Sequence, residues 1–426
     1  MLSNGRRRVV ITGLGAVSPL GLDLETTWQG LVEGCNGVAP ITLFDASHFD
    51  CTLAAEVKGF DSRHYVPPRL ARALHRGIHL LLAASQMAWD DAGLSMERLL
   101  PERVGVYAGT SGSFPSAETL RYRHRFSANG HMDMHRFAAH GTVDPMEFFF
   151  NVYNLASCAV AIVHGAQGPN VSVNTACAAG TQAIGDAYHL IRRGDADMVI
   201  AGGSDALIDL VGLSAFTLLG ALSRNPDPDR ASRPFDARRD GFVLGEGAGV
   251  IILEGLDHAQ ARGAKIRAEL AGYGSSNNAY RITDSPPDGY GEMLCMLKAL
   301  ANAGVQPEDV DYVNAHGTST AQNDRIETLA IHRAFGEHAG HLAVGSNKSM
   351  FGHTIAAAGA LELVSTVRTV ETCIIPPTIH YEYPDPGCDL DYVPNRARQA
   401  AVEVAISNSF GFGGQNGTLV VKRWRP

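Results

Sequence analysis

The chain has 426 residues, 45% of them hydrophobic and 19% charged, with a formal net charge of −9. That length implies two to three domains, or two halves of one large fold, with apolar material for a sizeable core. The acidic balance argues against general nucleic-acid binding, which needs broad positive surfaces.

The N-terminal segment MLSNGRRRVVITGLG carries a basic patch followed by only a short apolar run, so no secretory signal is read. No run is long enough to span a bilayer, and the expected setting is soluble and cytoplasmic, with no membrane partner. Short apolar runs then alternate with longer helical patterns, the signature of an α/β protein. In the first part RVVITGLG, RVGVYAGT, VSVNTAC and MVIAGGSD read as buried strands, with helical stretches over 70–92 and 178–193. In the second part RAELAGYG, VDYVNAHGT, HLAVGSN and VEVAISNSFG read the same way, with helical stretches over 292–304 and 355–371.

The two sets lie against each other in order. GLGAVS at 13–18 echoes GYGSSN at 272–277, and AGTS at 108–111 echoes HGTS at 316–319. The strand, turn and Ala-rich helix at 171–187 echoes that at 343–361, and AGGSD at 201–205 echoes SNSFGFGG at 407–414. This points to an internal duplication. The expected halves are 1–258 and 259–426, with most of the first half's extra length inserted over 111–170.

Chemistry-bearing residues cluster in four places. Cys177, in VNTACAAGTQ, sits among small residues that admit close approach of backbone or substrate. A helix beginning near 178 would aim its dipole at the thiol and lower its pKa, and its N–H groups could hold an oxyanion. The other reading is a small buried core residue. The seven cysteines are scattered with no C-x-x-C pair, which suits free thiols in a reducing setting and suggests neither zinc nor disulfides. His316, in VNAHGTSTAQND, follows a strand and precedes a hydroxyl-rich loop, though one His after a strand is usually structural. NKSMFGHT holds Lys348 and His353, and a Lys paired to Glu362 is its ordinary explanation. NSFGFGGQNG reads as a tight turn or as backbone packed closely on a ligand. The opening VVITGLGAVSPLG is a poor dinucleotide fingerprint, because Ser18 stands at the third glycine position.

Taken together, these motifs resemble the β-ketoacyl-[acyl-carrier-protein] synthases of the synthase II type. The resemblance runs through RVVITGLGAVSPLG, GPNVSVNTAC, RPFDARRDGFVLGEGAG, VNAHGTST, NKSMFGHT, PPTIHYEYPDPGCDLDYVP and NSFGFGG. It implies a thiolase-like fold: two duplicated βαβαβαββ halves in a five-layer αβαβα sandwich. It implies an acyltransferase performing decarboxylative Claisen condensation, with Cys177 as nucleophile and His316 and His353 stabilising the enolate. Lys348 supports the site electrostatically, with Glu362 as its charge partner. The N–H groups of Cys177 and Phe412 form the oxyanion hole, and Phe412 also acts as a gate. Thr318 and Thr320 contact pantetheine or malonyl; Phe216, Phe410 and Gly112 belong to the substrate pocket.

No cofactor is implied beyond substrates carried on the phosphopantetheine of acyl carrier protein. That acidic partner would dock on Arg69, Arg72 and Arg76, which share one face if helical; the other reading is an ordinary solvated face. The family is dimeric, and the 111–150 segment is expected at the interface. A homodimer is expected, and a heterodimer with a chain-length factor is the second possibility. Gly112 replaces a usual bulky side chain, Gln415 a usual Thr and Asn323 a usual Gly, which leaves open fatty acid or type II polyketide or polyene synthesis. A non-catalytic chain-length factor is the reading from another class, and the presence of Cys177 argues against it.

Overall fold

The computed structural model describes residues 6–113, 124–128, 131–140 and 152–425. Ten strands form the spine of its main sheet. In chain order they are β1 (Val9–Val17), β2 (Val104–Gly109), β3 (Asn170–Val173), β4 (Met198–Ala206), β5 (Leu244–Gly255), β6 (Ala268–Asn277), β7 (Tyr312–Asn314), β8 (Ala343–Gly345), β9 (Val404–Gly411) and β10 (Gln415–Arg423). Their spatial order is β8-β7-β9-β10-β6-β1-β5-β4-β2-β3. Read outward from the centre, each half repeats the other with strand numbers offset by five. In both halves the first three strands pair antiparallel and the outer ones parallel, and the halves join through antiparallel β1 and β6.

Six helices complete the layers: α1 (Arg76–Asp91), α2 (Leu155–His164), α3 (Ala179–Arg193), α4 (Tyr290–Ala303), α5 (Ala321–Phe335) and α6 (Ala358–Thr372). α1 and α2 cover the outer face of the first half, and α4 and α5 the outer face of the second. α3 and α6 touch each other and strands of both halves, so they form the middle layer. This is the expected αβαβα sandwich, and the four sequence echoes fall on β1/β6, the ends of β2/β7, the β3–α3/β8–α6 units and β4/β9. The central position explains the composition of α6. Twelve of its fifteen residues are buried, including Glu362, Ser365 and Thr369, so it shows no polar face to solvent.

Two strands, β5 and β10, are absent from the sequence reading. Every residue of β5 is buried although it carries Glu246, Glu254 and several glycines. Those charges are neutralised only in three dimensions. Glu254 accepts from Thr12 and His258 and pairs with Arg262. Glu246 accepts the Val57 N–H at 2.9 Å and is clamped by Arg76, with Nε and Nη2 each at 2.7 Å.

The Arg76 clamp corrects one expectation. The 70–92 stretch is not one helix: a short turn of helix ends at Ala71, and α1 starts at Arg76. Arg69 and Arg72 are exposed, but Arg76 is turned inward to the buried Glu246, so the three do not share a face and Arg76 is not free to dock a partner. Replacing Arg76 by Ala would strand a buried carboxylate. We expect Arg76→Ala to lower the unfolding free energy by roughly 3 kcal/mol in urea titration, while Arg69→Ala and Arg72→Ala leave it unchanged.

Candidate active site

Four chain segments converge where β3, β7 and β8 end and where β9 turns into β10. Cys177 lies in the 3-10 turn Ala176–Ala178 between β3 and α3, buried, with only 5% of its surface exposed. Ala176 before it is held at φ 49°, a left-handed conformation that costs energy for an L residue and lifts the next side chain out of the strand line. The small residues that follow serve the first of the two expected uses, a close approach of backbone. A Cβ on Gly180 would meet Ala356 O at 2.6 Å, so the space serves the contact between α3 and the turn leading into α6 rather than a substrate.

His353 Nε2 stands 3.1 Å from Cys177 Sγ, and the Ile355 N–H donates to His353 Nδ1 at 3.2 Å. An Nδ1 that accepts a backbone N–H carries no proton, which assigns the proton to Nε2, facing the thiol. His316 is treated similarly. Its Nδ1 lies 3.4 Å from the Lys348 ammonium, leaving Nε2 as the protonated nitrogen. Burial, reinforced by the Lys348 charge, holds both imidazoles well below the usual histidine pKa, so they are neutral donors at physiological pH. The Cys177 sulfur and one nitrogen from each ring lie within 4.8 Å of one another. Such a set has metal-ligand composition, but tautomers fixed as N–H donors suit an oxyanion, not a cation.

Lys348 is itself buried. Its ammonium donates to the Glu362 carboxylate and to the His316 carbonyl, the latter at 2.6 Å. Glu327 on α5 is a residue the motifs did not single out. Its two oxygens accept the N–H groups of His316 and Gly317, each at 2.8 Å. A carboxylate on the apolar side of the α5 pattern was its only sequence signal. Burial raises Glu327 and Glu362 to about 7 each.

The thiol itself departs from expectation. Burial pushes Cys177 up to about 11, although the Lys348 charge and the N–H groups of Phe412 and Cys177 pull it down. Desolvation outweighs these lowering contributions. Those same two N–H groups both reach the sulfur.

A cavity of about 260 Å³ opens from Cys177 to the surface. His316, His353, Phe410, Phe412, Thr318, Thr320 and Asn323 are among the residues that line it. The Thr318 and Thr320 hydroxyls are 2.9 Å apart. Phe216 lies one layer back, edge-on to Phe242 at 5.6 Å between centroids, in the apolar cluster that also holds Cys177. Gly112 does not line this cavity. It has φ 81°, and a Cβ there would sit 2.6 Å from the Tyr153 ring, so an aromatic from α2's approach fills the space its missing side chain leaves. Gln415 also stands outside the cavity lining. Most of the 111–150 segment lies outside the described residues, and with it the expectation that it forms a subunit interface.

The β-ketoacyl synthase N-terminal domain profile matches residues 6–259, and its C-terminal counterpart matches 267–382. The chain belongs to the β-ketoacyl synthase family. It is 46% identical to 3-oxoacyl-[acyl-carrier-protein] synthase 2 of Synechocystis sp., over 99% of each chain. Two solved structures superpose over nearly the whole β-ketoacyl synthase chain at 35% identity. One is the AntDE:AntF complex, a type II PKS acyl-carrier protein with its ketosynthase bound to the hexaketide (TM-score 0.88, 98% of this chain and 100% of that one). The other is the ishigamide ketosynthase/chain length factor (TM-score 0.87, 99% and 100%).

The protonation states of this β-ketoacyl synthase are open to test. A thiol raised to about 11 is mostly protonated at neutral pH, and only the thiolate alkylates. Iodoacetamide labelling of Cys177 should therefore accelerate about tenfold per pH unit from neutral pH upward, without a plateau below about pH 9, as followed by peptide mass spectrometry. A plateau near neutrality would mean that the dipole, not burial, governs the thiol.

Proposed function

We propose that Cys177 carries the acyl chain and that His316 and His353 drive decarboxylation in a condensation of that chain with a malonyl thioester. The reaction class is that of the family, a 3-oxoacyl-[acyl-carrier-protein] synthase. The observation that carries the residue assignment is the convergence of one thiol and two neutral, proton-bearing imidazoles on one cavity.

In the first step the Cys177 sulfur attacks the carbonyl of an acyl pantetheine thioester, and the thiol proton leaves with the departing pantetheine sulfur. The His353 Nε2–H supports negative charge on Sγ as that proton goes, and the N–H groups of Cys177 and Phe412 hold the tetrahedral oxyanion. In the second step a malonyl thioester loses CO2, and the electrons of the breaking C–C bond pass to the thioester oxygen as an enolate. The two Nε2–H groups stabilise that oxygen. The enolate carbon then attacks the Cys177 thioester, expelling the sulfur, which takes up one proton. The product is a β-ketoacyl thioester two carbons longer.

Lys348 acts through the imidazoles, since its donors are already engaged by Glu362 and His316. Thr318, Thr320 and the 260 Å³ mouth suit a pantetheine arm, so the substrates arrive on acyl carrier protein and no further cofactor is assigned. The exposed Arg69 and Arg72 are proposed as its contacts. A dimer is proposed, either of identical chains or with a chain-length factor; the ishigamide neighbour favours neither by itself. Among the described residues no helix is long and apolar enough to cross a membrane.

The test is mass spectrometry of wild type and Cys177→Ala with malonyl-carrier and a panel of acyl-carrier proteins. Wild type alone should show acylated Cys177 and extended product. An active Cys177→Ala condensation would remove the nucleophile assignment. His316→Ala should still acylate Cys177 but release CO2 from malonyl-carrier about 100-fold more slowly. Because both imidazoles stay neutral, the ring-nitrogen NMR shifts of His316 and His353 should stay constant from about pH 6 to about pH 8, even where the decarboxylation rate changes as Glu327 and Glu362 titrate at about 7. A ring-nitrogen shift that titrates near the ordinary histidine pKa would show that an imidazole protonates.

A further inference from the structure

Asp205, at the end of β4, is fully buried, and no Lys or Arg among the described residues pairs with it. Its carboxylate instead accepts two backbone N–H groups, from Ser111 to Oδ1 at 2.9 Å and from Ala356 to Oδ2 at 2.8 Å. The second partner is informative. Ala356 is the central residue of the 3-10 turn Ile355–Ala357 that leads into α6, as Cys177 is of the turn Ala176–Ala178 that leads into α3. The preceding residues, Ile355 and Ala176, share φ 49°. Ala356 is therefore the second half's copy of Cys177, and its N–H is the copy of an N–H assigned to the oxyanion hole. In the second half that position already holds a carboxyl oxygen, supplied by Asp205, which burial raises to about 7.

The same turn fixes His353, because the Ile355 N–H, one residue before Ala356, is what donates to Nδ1. We propose that Asp205 is a positioning residue for the condensation, clamping the 355–357 turn so that His353 keeps its Nε2–H directed at the reacting atoms. The clamp also reaches Ser111, at the mouth of the 111–113 loop, and so joins the end of β2 in the first half to the histidine turn of the second. Its charge acts in the opposite sense on the nucleophile, since a buried carboxylate near Cys177 disfavours the thiolate.

The inference rests on the proposed roles of Cys177 and His353, and its test separates the two partial reactions in the intact enzyme. Asp205→Asn keeps the shape but removes the charge and turns an NH2 toward one of the two N–H groups. We expect CO2 release from malonyl-carrier to fall about tenfold in kcat with KM unchanged, and Cys177 alkylation by iodoacetamide to become several-fold faster. Asp205→Glu keeps the charge but displaces the carboxylate by one methylene; decarboxylation should fall while alkylation stays at the wild-type rate. Thermal unfolding identifies which variants are folded. Decarboxylation within twofold of wild type in a folded variant overturns the proposal, as does an equal fall in both reactions, which marks general damage. Wild type failing to decarboxylate would count against the reaction assignment and not against the clamp.

Discussion

The site is organised around one buried ammonium. Lys348 is 1% exposed and directs its protons at three acceptors: the Glu362 carboxylate, the His316 carbonyl and the His316 Nδ1. An isolated cation in that position would carry a large desolvation cost, so Glu362 is required on a helix that otherwise reads as core. The ammonium in turn decides which nitrogen of His316 bears the proton, and it reinforces the burial that keeps both imidazoles uncharged. Neutral N–H donors held in place before reaction stabilise a developing oxyanion without reorganising, which is what the proposed decarboxylation requires.

The duplicated fold explains how such a cluster can be assembled. Each half offers the same device, a strand running into a strained 3-10 turn at the N-terminus of a central helix. In the first half the turn presents Cys177; in the second it presents Ala356 and, just before it, His353. Because α3 and α6 pack against each other in the middle layer, the two turns face one another across a few ångströms. In the proposed reaction one copy receives the substrate carbonyl, while the other already holds Asp205. Symmetry supplies the geometry, and a few side chains divide it into a reacting half and a holding half.

The cavity also shows why the chain resembles both fatty acid and polyketide enzymes. The chain superposes on a type II polyketide ketosynthase over nearly its whole length, so the frame alone does not set chain length. Specificity has to come from the walls. Gly112 stands outside that lining, and the Tyr153 ring occupies the volume a side chain at 112 would need.

The motifs Cys177, His316, Lys348, His353 and the glycine-rich turn were legible in the sequence because each sits at a strand–helix or hairpin junction with its own local signature. So was the order of most strands, since buried parallel strands are short apolar runs whatever surrounds them. The β5 strand was not legible, because Glu246 and Glu254 are tolerated only through Arg76 and Arg262, partners remote or invisible in a linear reading. The inward turn of Arg76 follows from the same pairing. Asp205 and Glu327 were missed for a related reason: each is a carboxylate whose partners are backbone N–H groups, and sequence gives no sign of where a backbone N–H will point. The sequence by itself determined the residues able to do the chemistry and the duplicated frame. Only tertiary structure decided their protonation, because burial and distant charges set a thiol at about 11 and keep two imidazoles neutral.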